Sequence, residues 1–248
     1  MTELLVAIGL TAGVVAAHEI GFWLGSLFRS TDEPFDRQVA LVRTSTAALV
    51  AFLIGFAFSG AASRFTHRQD LTVNEANALG TAYLRADVIA EPQRSELKAA
   101  LKEYTADRIA LLSREGHNQV EPLLAKVSGL HQRMWKSAVV ATQSNAPLMA
   151  LLLPPINEVI DLHSTHLAMA RRHLPSPIMA VLLATAAISL GIIGFGNGRV
   201  GRRFSLIDAV YGAVLAAALW MTIDMDYPGL GMIRVSNRPV VEALTAMK

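Results

Sequence analysis

From Thr44 to Ser63 the chain is apolar and carries no charge, and beyond it the apolar positions thin to a stripe, Leu79, Tyr83, Ala86 and Ile89, at helical spacing. The first part predicts a membrane-crossing helix and the second an amphipathic helix in water. No proline falls between Pro34 and Pro92, so nothing forces a break where the chemistry changes. The roughly 43 residues from Thr44 to Ala86, at about 1.5 Å each, make a rod of about 65 Å, twice the hydrocarbon thickness. This stretch is predicted, as one helix or two nearly collinear ones, to leave the membrane and become the spine of a helical domain in water.

Three further apolar runs have membrane length: Leu4 to Phe28, Ile178 to Phe195 and Leu206 to Ile223. The first is interrupted by His18 and Glu19, a pair expected near one interface beside Trp23. A polar connector with Asp32-Glu33-Pro34 as a turn precedes the spine, and Glu91-Pro92 is expected to stop it. Helices follow over Ser95 to Arg114, with Leu97, Leu101, Tyr104, Arg108 and Leu111 on one face and Gly116 to close it, and over Pro122 to Val140, with Leu123, Val127, Leu130 and Met134 as its stripe. Between Leu148 and His173, Pro154-Pro155 predicts a kink or a restart, with a membrane-surface or domain-core helix beginning near Pro155. The glycines of GFGNG bracket the third span, and the tail turns at Pro228-Gly229 with little helical pattern before Val240.

The fold class is therefore an all-α membrane protein with four transmembrane helices and a helical aqueous domain between the second and third. The expected divisions are 1–63, 64–176, 177–225 and a tail, 226–248.

Composition agrees. Of 248 residues 52% are hydrophobic and 17% charged, against about 25% charged in soluble domains. Charge gathers, nearly balanced, between Arg64 and Arg172. A net charge of +2 with no basic helix interleaved with aromatics gives no ground for nucleic acid. Cysteine is absent, which removes disulfide and thiolate chemistry. The N-terminus lacks a basic leader region and its apolar run continues past any cleavage site, so it reads as a retained span. Arginines flank the spans evenly on both sides and leave orientation open.

Candidate chemistry is sparse. No glycine-rich phosphate loop or Gly-x-Ser-x-Gly elbow occurs, and no catalytic residue is assigned. His163 and His166, at i and i+3 beside Asp161, have a spacing that can serve a metal, but no third ligand is evident, and no metal is assigned. Asp224 and Asp226 directly follow the fourth span. Two carboxylates there can gather cations or hold Ca²⁺; equally, they can be a polar stop with Tyr227 anchored at the interface. Ala48, Phe52 and Phe56 share one face of the spine. In a single chain that face means packing or lipid contact, and around a symmetry axis it makes stacked apolar rings that gate by dewetting. Gly55 and Gly60 are expected to let neighbouring helices approach.

FLIGFAFSGAASRF resembles the second transmembrane helix of bestrophins, through Phe52, Gly55, Phe56, Arg64 and Phe65. NEANALGTAYLRAD (Asn74–Asp87) and DMDYPGLGMIRVS (Asp224–Ser236) resemble motifs of a bacterial bestrophin-like family of unknown function, whose layout covers nearly the whole chain. The resemblance implies a multi-pass protein of the bacterial inner membrane. It implies a homo-oligomer, a pentamer in bestrophins, conducting small ions along the second helix. Ala48, Phe52 and Phe56 then form the pore neck, with Ala48 smaller than its bestrophin counterparts, and Arg64, Phe65 and Glu75 lie at the pore exit or vestibule. Asp224 and Asp226 stand where animal bestrophins hold Ca²⁺ but lack their long acidic run, and ion selectivity does not carry over. The alternative is a non-conducting, membrane-anchored helical scaffold or sensor; a membrane metalloenzyme using Asp161, His163 and His166 is a further one.

Overall fold

The computed structural model describes residues 2–29, 33–113, 120–203, 205–227 and 231–248. Among these the regular elements are helices: α1 (Thr2–Leu27), α2 (Glu33–Arg85) with a short 3₁₀ turn (Ala86–Val88), α3 (Gln93–Leu112), α4 (Val120–Thr142), α5 (Ala146–Ala170), α6 (Ser176–Val200), α7 (Leu206–Asp226) and α8 (Arg238–Ala246). The spine is one helix of 53 residues, and α1, α2, α6 and α7 are long and apolar enough to cross a bilayer. The expected connector before the spine is mostly helix, because Pro34 sits in the first turn, where its missing N–H costs nothing. Asp32, Gly116 and the Pro228-Gly229 turn lie outside the described residues.

The chain divides into two units. The membrane unit comprises Met1–Phe65 and His173–Arg234, and the helical unit Thr66–Arg172 and Val235–Lys248. The expected tail thus splits: residues to Arg234 belong to the first unit, and α8, whose Val240 is fully buried, belongs to the core of the second.

In the membrane unit α1 lies against α6 with backbones touching. A Cβ on Gly194 would fall 2.0 Å from the His18 carbonyl oxygen, and one on Gly198 2.1 Å from that of Phe22. From the other side, a Cβ on Gly21 or Gly25 would fall 2.0 Å from the carbonyls of Gly191 or Phe195. Both helices therefore carry a Gly-x-x-x-Gly pair that admits the partner's main chain. This corrects two expectations. The GFGNG glycines do not end the third span, which continues to Val200 and stops at Gly201 with φ 75°. Gly55 has open space around it and Gly60 meets only the Arg64 guanidinium at 3.4 Å, so neither admits a helix in this unit. The core beside this contact is Val50, Ile54 and Ala57 of α2 with Leu182, Ala186 and Leu190 of α6 and Leu215 and Leu219 of α7. Ser205 caps α7, accepting from the Asp208 N–H at 3.2 Å while the Asp208 carboxylate accepts from the Ser205 N–H at 3.0 Å.

The helical unit is built on side chains. Leu79, Ala82 and Ala86, Leu97, Leu101 and Tyr104, Met134 and Ala138, and Leu152, Ile156 and Val159 meet fully buried in one core. Here α5 departs from expectation: it begins at Ala146 and runs through Pro154 and Pro155. Asn145 caps its start by accepting from the Leu148 N–H at 3.2 Å. Pro155 has no N–H for the Leu151 carbonyl one turn back, and Arg85 of α2 donates to that carbonyl at 2.8 Å. At Pro155 a side chain thus replaces the lost donor.

Candidate functional site

On α2 the inward positions follow one stripe. Val50, Ile54, Ala57 and Ala61 are buried in the membrane unit, and the stripe continues through Arg64. The other face carries Ala48, Phe52 and Phe56, all exposed; the two rings are 69% and 70% exposed. Phenylalanines that project from a protomer without packing into it either meet lipid or meet other chains. At about 100° per residue the same face runs on through Ser63, Thr66 and Asp70, and all three are exposed.

The expected exit residues do not extend that face. Arg64 lies about 80° round from Phe56 and Phe65 about 180°. Arg64 turns to the end of α7, where its Nη2 and Nε lie 2.6 and 2.7 Å from Asp226 Oδ1. Asp226 is fully buried, and its Oδ2 accepts from the Leu174 N–H at 2.7 Å. His173 Nδ1 lies 3.0 Å from the Asp226 carbonyl oxygen, and the His173 ring stacks on Tyr227 with centroids 4.0 Å apart. Tyr227 is thus tied by a ring stack.

Asp224, 3% exposed, accepts from the N–H groups of Met232 and Ile233, both at 3.1 Å. A Cβ on Gly231 would fall 1.8 Å from its Oδ1, so the chain folds back over this carboxylate only with glycine there. Ca²⁺ takes six to eight oxygens. Asp226 is paired with an arginine, and Asp224 holds both backbone donors on Oδ2. Among the described residues, no three His, Cys, Asp or Glu side chains converge as metal ligands.

Glu75 is corrected more sharply. It sits about 100° round the helix from Phe56 and is fully buried within the helical unit, so it cannot line a vestibule. Arg108 of α3 grips it with two bonds, Nε to Oε1 at 2.6 Å and Nη2 to Oε2 at 2.8 Å. The Tyr104 hydroxyl donates to Oε1 at 2.8 Å, and His166 Nε2 lies 3.1 Å from Oε2. A bidentate arginine compensates a buried carboxylate as few other partners can. His163 and His131 complete the cluster, with ring centroids 5.0 Å apart and the Tyr104 ring 6.1 and 5.2 Å away. Burial first, then the neighbouring Arg108 charge, lowers the His163 pKa from its ordinary value to about 4 and moves His131 the same way. Both stay neutral near pH 7. Burial raises the Tyr104 pKa, and the Glu75 charge adds to it, so its hydroxyl remains a donor.

Asp161 is turned to solvent, accepting from Asn157 at 2.7 Å, while His163 and His166 point inward; the three do not form one site. Arg68, which sequence reading did not single out, is 6% exposed and donates to the Arg172 carbonyl at 2.7 Å beyond the end of α5. Arg108 appeared in the sequence only as one member of an apolar stripe. A charge at a buried helical position is the signal that could have paired it with Glu75.

The chain matches the model of the Bestrophin-like domain over residues 12–240. It resembles two solved structures of a bacterial bestrophin homologue from Klebsiella pneumoniae, each a point mutant. One has TM-score 0.68 and 12% identity, with 100% of this chain and 99% of that chain covered. The other has TM-score 0.67 and 12% identity, with 95% and 94% covered. No curated protein matches by sequence. At that identity the structures establish the fold, and the match along nearly the whole sequence establishes the rest: the chain belongs to the bestrophin-like family.

Proposed function

We propose that the protein assembles as a ring of identical chains, a pentamer, and conducts small ions along an axis lined by α2. The observation that carries this reading is the exposed face of that helix. Phe52 and Phe56 are among the most exposed large apolar residues of the chain, while the opposite stripe is consumed by packing within the protomer. Repeated around an axis, Ala48, Phe52 and Phe56 make three apolar tiers, widest at Ala48, that pass ions only when wetted. Beyond them Ser63, Thr66 and Asp70 take the place first expected of Arg64 and Glu75. Asp70 then sets a ring of negative charge near the aqueous end.

Planar-bilayer recordings of the purified protein test the reading. Phe52→Ala with Phe56→Ala is expected to raise the open fraction and the resting current severalfold. Unchanged conductance and gating would remove the neck assignment. A protein that stays monomeric or dimeric in detergent would favour the membrane-anchored scaffold.

A further inference from the structure

Within the membrane unit, α1 and α7 run antiparallel and leave an apolar groove of about 470 Å³ between them. Its walls are Ala7, Thr11 and Val15 on α1 and Ala213, Ala217 and Trp220 on α7. The groove exists because between Asp208 and Trp220 the lining residues of α7 are alanines and one glycine, Ala209, Gly212, Ala213, Ala216 and Ala217. It closes at a polar end, where His18 and Asp208 line it. Asn197 of α6 joins the two there, its Nδ2 3.3 Å from His18 Nε2 and 2.7 Å from Asp208 Oδ2.

Two features of this groove point to its occupant. From Ala7 to His18 the helix rises about 17 Å, close to half of the roughly 30 Å hydrocarbon, which is the depth of one leaflet. Past the polar end lies the connection from α6 to α7, which carries exposed arginines. Arg203, with its side chain 74% exposed, lies 3.0 Å from Glu19, next to His18. Arg202 and Arg29 are exposed as well, and Arg29 comes within 3.9 Å of where a Cβ on Gly201 would stand. Three arginines thus stand against two carboxylates at this end of the groove: Glu19, paired with Arg203, and Asp208, held by Ser205 and Asn197.

We propose that the groove is a lipid site: it holds one acyl chain of an anionic phospholipid whose phosphate lies among Arg29, Arg202 and Arg203. The methyl-lined wall accepts a flexible chain. The arginines give net charge and hydrogen bonds to a phosphate, which a zwitterionic lipid offsets with its own cation. The site is independent of whether the protein conducts.

Fluorescence quenching tests it in the full-length protein. Trp23→Phe and Trp135→Phe leave Trp220 as the sole tryptophan. The protein is placed in phosphatidylcholine nanodiscs containing a small fraction of phosphatidylglycerol or phosphatidylcholine with dibrominated acyl chains. The brominated phosphatidylglycerol is expected to quench Trp220 severalfold more strongly at equal mole fraction. Arg202→Ala with Arg203→Ala should equalise the two lipids, and Ala213→Phe with Ala217→Phe should abolish the preference by filling the groove. Equal quenching by both lipids in the parent protein, the behaviour of ordinary boundary lipid, overturns the proposal. So does absence of quenching by either, which means a second copy covers the groove. A preference that survives the phenylalanine pair also overturns it. Should that pair fail to fold, the arginine pair still decides.

Discussion

The two units solve the same problem, joining helices, by opposite means. In the membrane unit α1 and α6 meet main chain to main chain across Gly21, Gly25, Gly194 and Gly198. In the helical unit, large side chains fill the space between helices, and an ionic cluster lies inside that core. The solvents explain the contrast. Lipid tails are as apolar as leucine, so burying leucine between helices inside a bilayer gains little, and close van der Waals contact must hold them. In water each buried apolar side chain contributes about 1.5–3 kcal/mol. That surplus can offset the cost of desolvating Glu75 and Arg108.

The largest loss is expected at the glycines. Gly194→Leu or Gly198→Leu places a side chain where a backbone carbonyl now stands and forces α1 off α6. The expected loss exceeds about 4 kcal/mol, read as disappearance of the monodisperse species and of a cooperative melt in detergent. Gly13→Ala is the control, since a Cβ there meets nothing within 4 Å, and it should change stability by no more than about 0.5 kcal/mol. If both substitutions behave alike, backbone contact is not what joins these helices.

In the helical unit the matching break is electrostatic. Arg108→Met leaves the Glu75 charge buried, compensated only by Tyr104 and His166, and should cost about 3–5 kcal/mol in thermal or urea unfolding. Glu75→Leu with Arg108→Met removes both charges. It strands the Tyr104 hydroxyl, at about 1–3 kcal/mol, and so should be less damaging than Arg108→Met alone. A double variant as unstable as the single one would show that shape, and not charge compensation, is what this cluster supplies.

How far these features were legible in the sequence follows the same division. Spans and amphipathic stripes are local patterns, and the four membrane helices, the course of the spine and the faces of α3 and α4 are readable from periodicity, while the continuity of the spine as one helix is a finding of the structure. The stripe Leu97, Leu101, Tyr104, Arg108 even contained the buried arginine. Its partner was not readable, because Glu75 and Arg108 are 33 residues apart and only tertiary structure brings them together. The glycines of α6 misled because glycine both ends helices and lets them touch, and only the facing pair on α1 decides between the two. Pro155 of α5 misled for a related reason: the donor that takes over its lost hydrogen bond, Arg85, comes from another helix. Along α2 the exposed aromatic face was readable from spacing. The acid expected at its aqueous end, Glu75, lies about 100° round the helix from Phe56 and turns inward, and the helix turns Asp70 outward instead.

The mildest break uses pH and bears on the histidines alone. His163 faces Tyr104 and Arg108 from α3, His131 from α4, Glu75 from α2 and His166 on its own helix. Folding lowers its pKa from 6.5 to about 4. Between those values the unfolded chain binds a proton that the folded chain refuses, so unfolding free energy rises with pH in that window. Above about 6.5 the histidine's contribution is fully present. It is lost progressively as pH falls toward 4, by about 2 kcal/mol, less than the whole shift because solvent screens part of it. His163→Phe keeps the ring against Tyr104 and removes the titration. Unfolding measured from pH 7.5 to 4.5 should therefore lose less stability in the variant than in the parent, with the curves diverging below about pH 6.5. Carboxylates that protonate at lower pH act on both proteins and cancel in the difference. Parallel curves would mean that the core already admits enough water to charge His163, and that the helical unit is less sealed than its packing indicates.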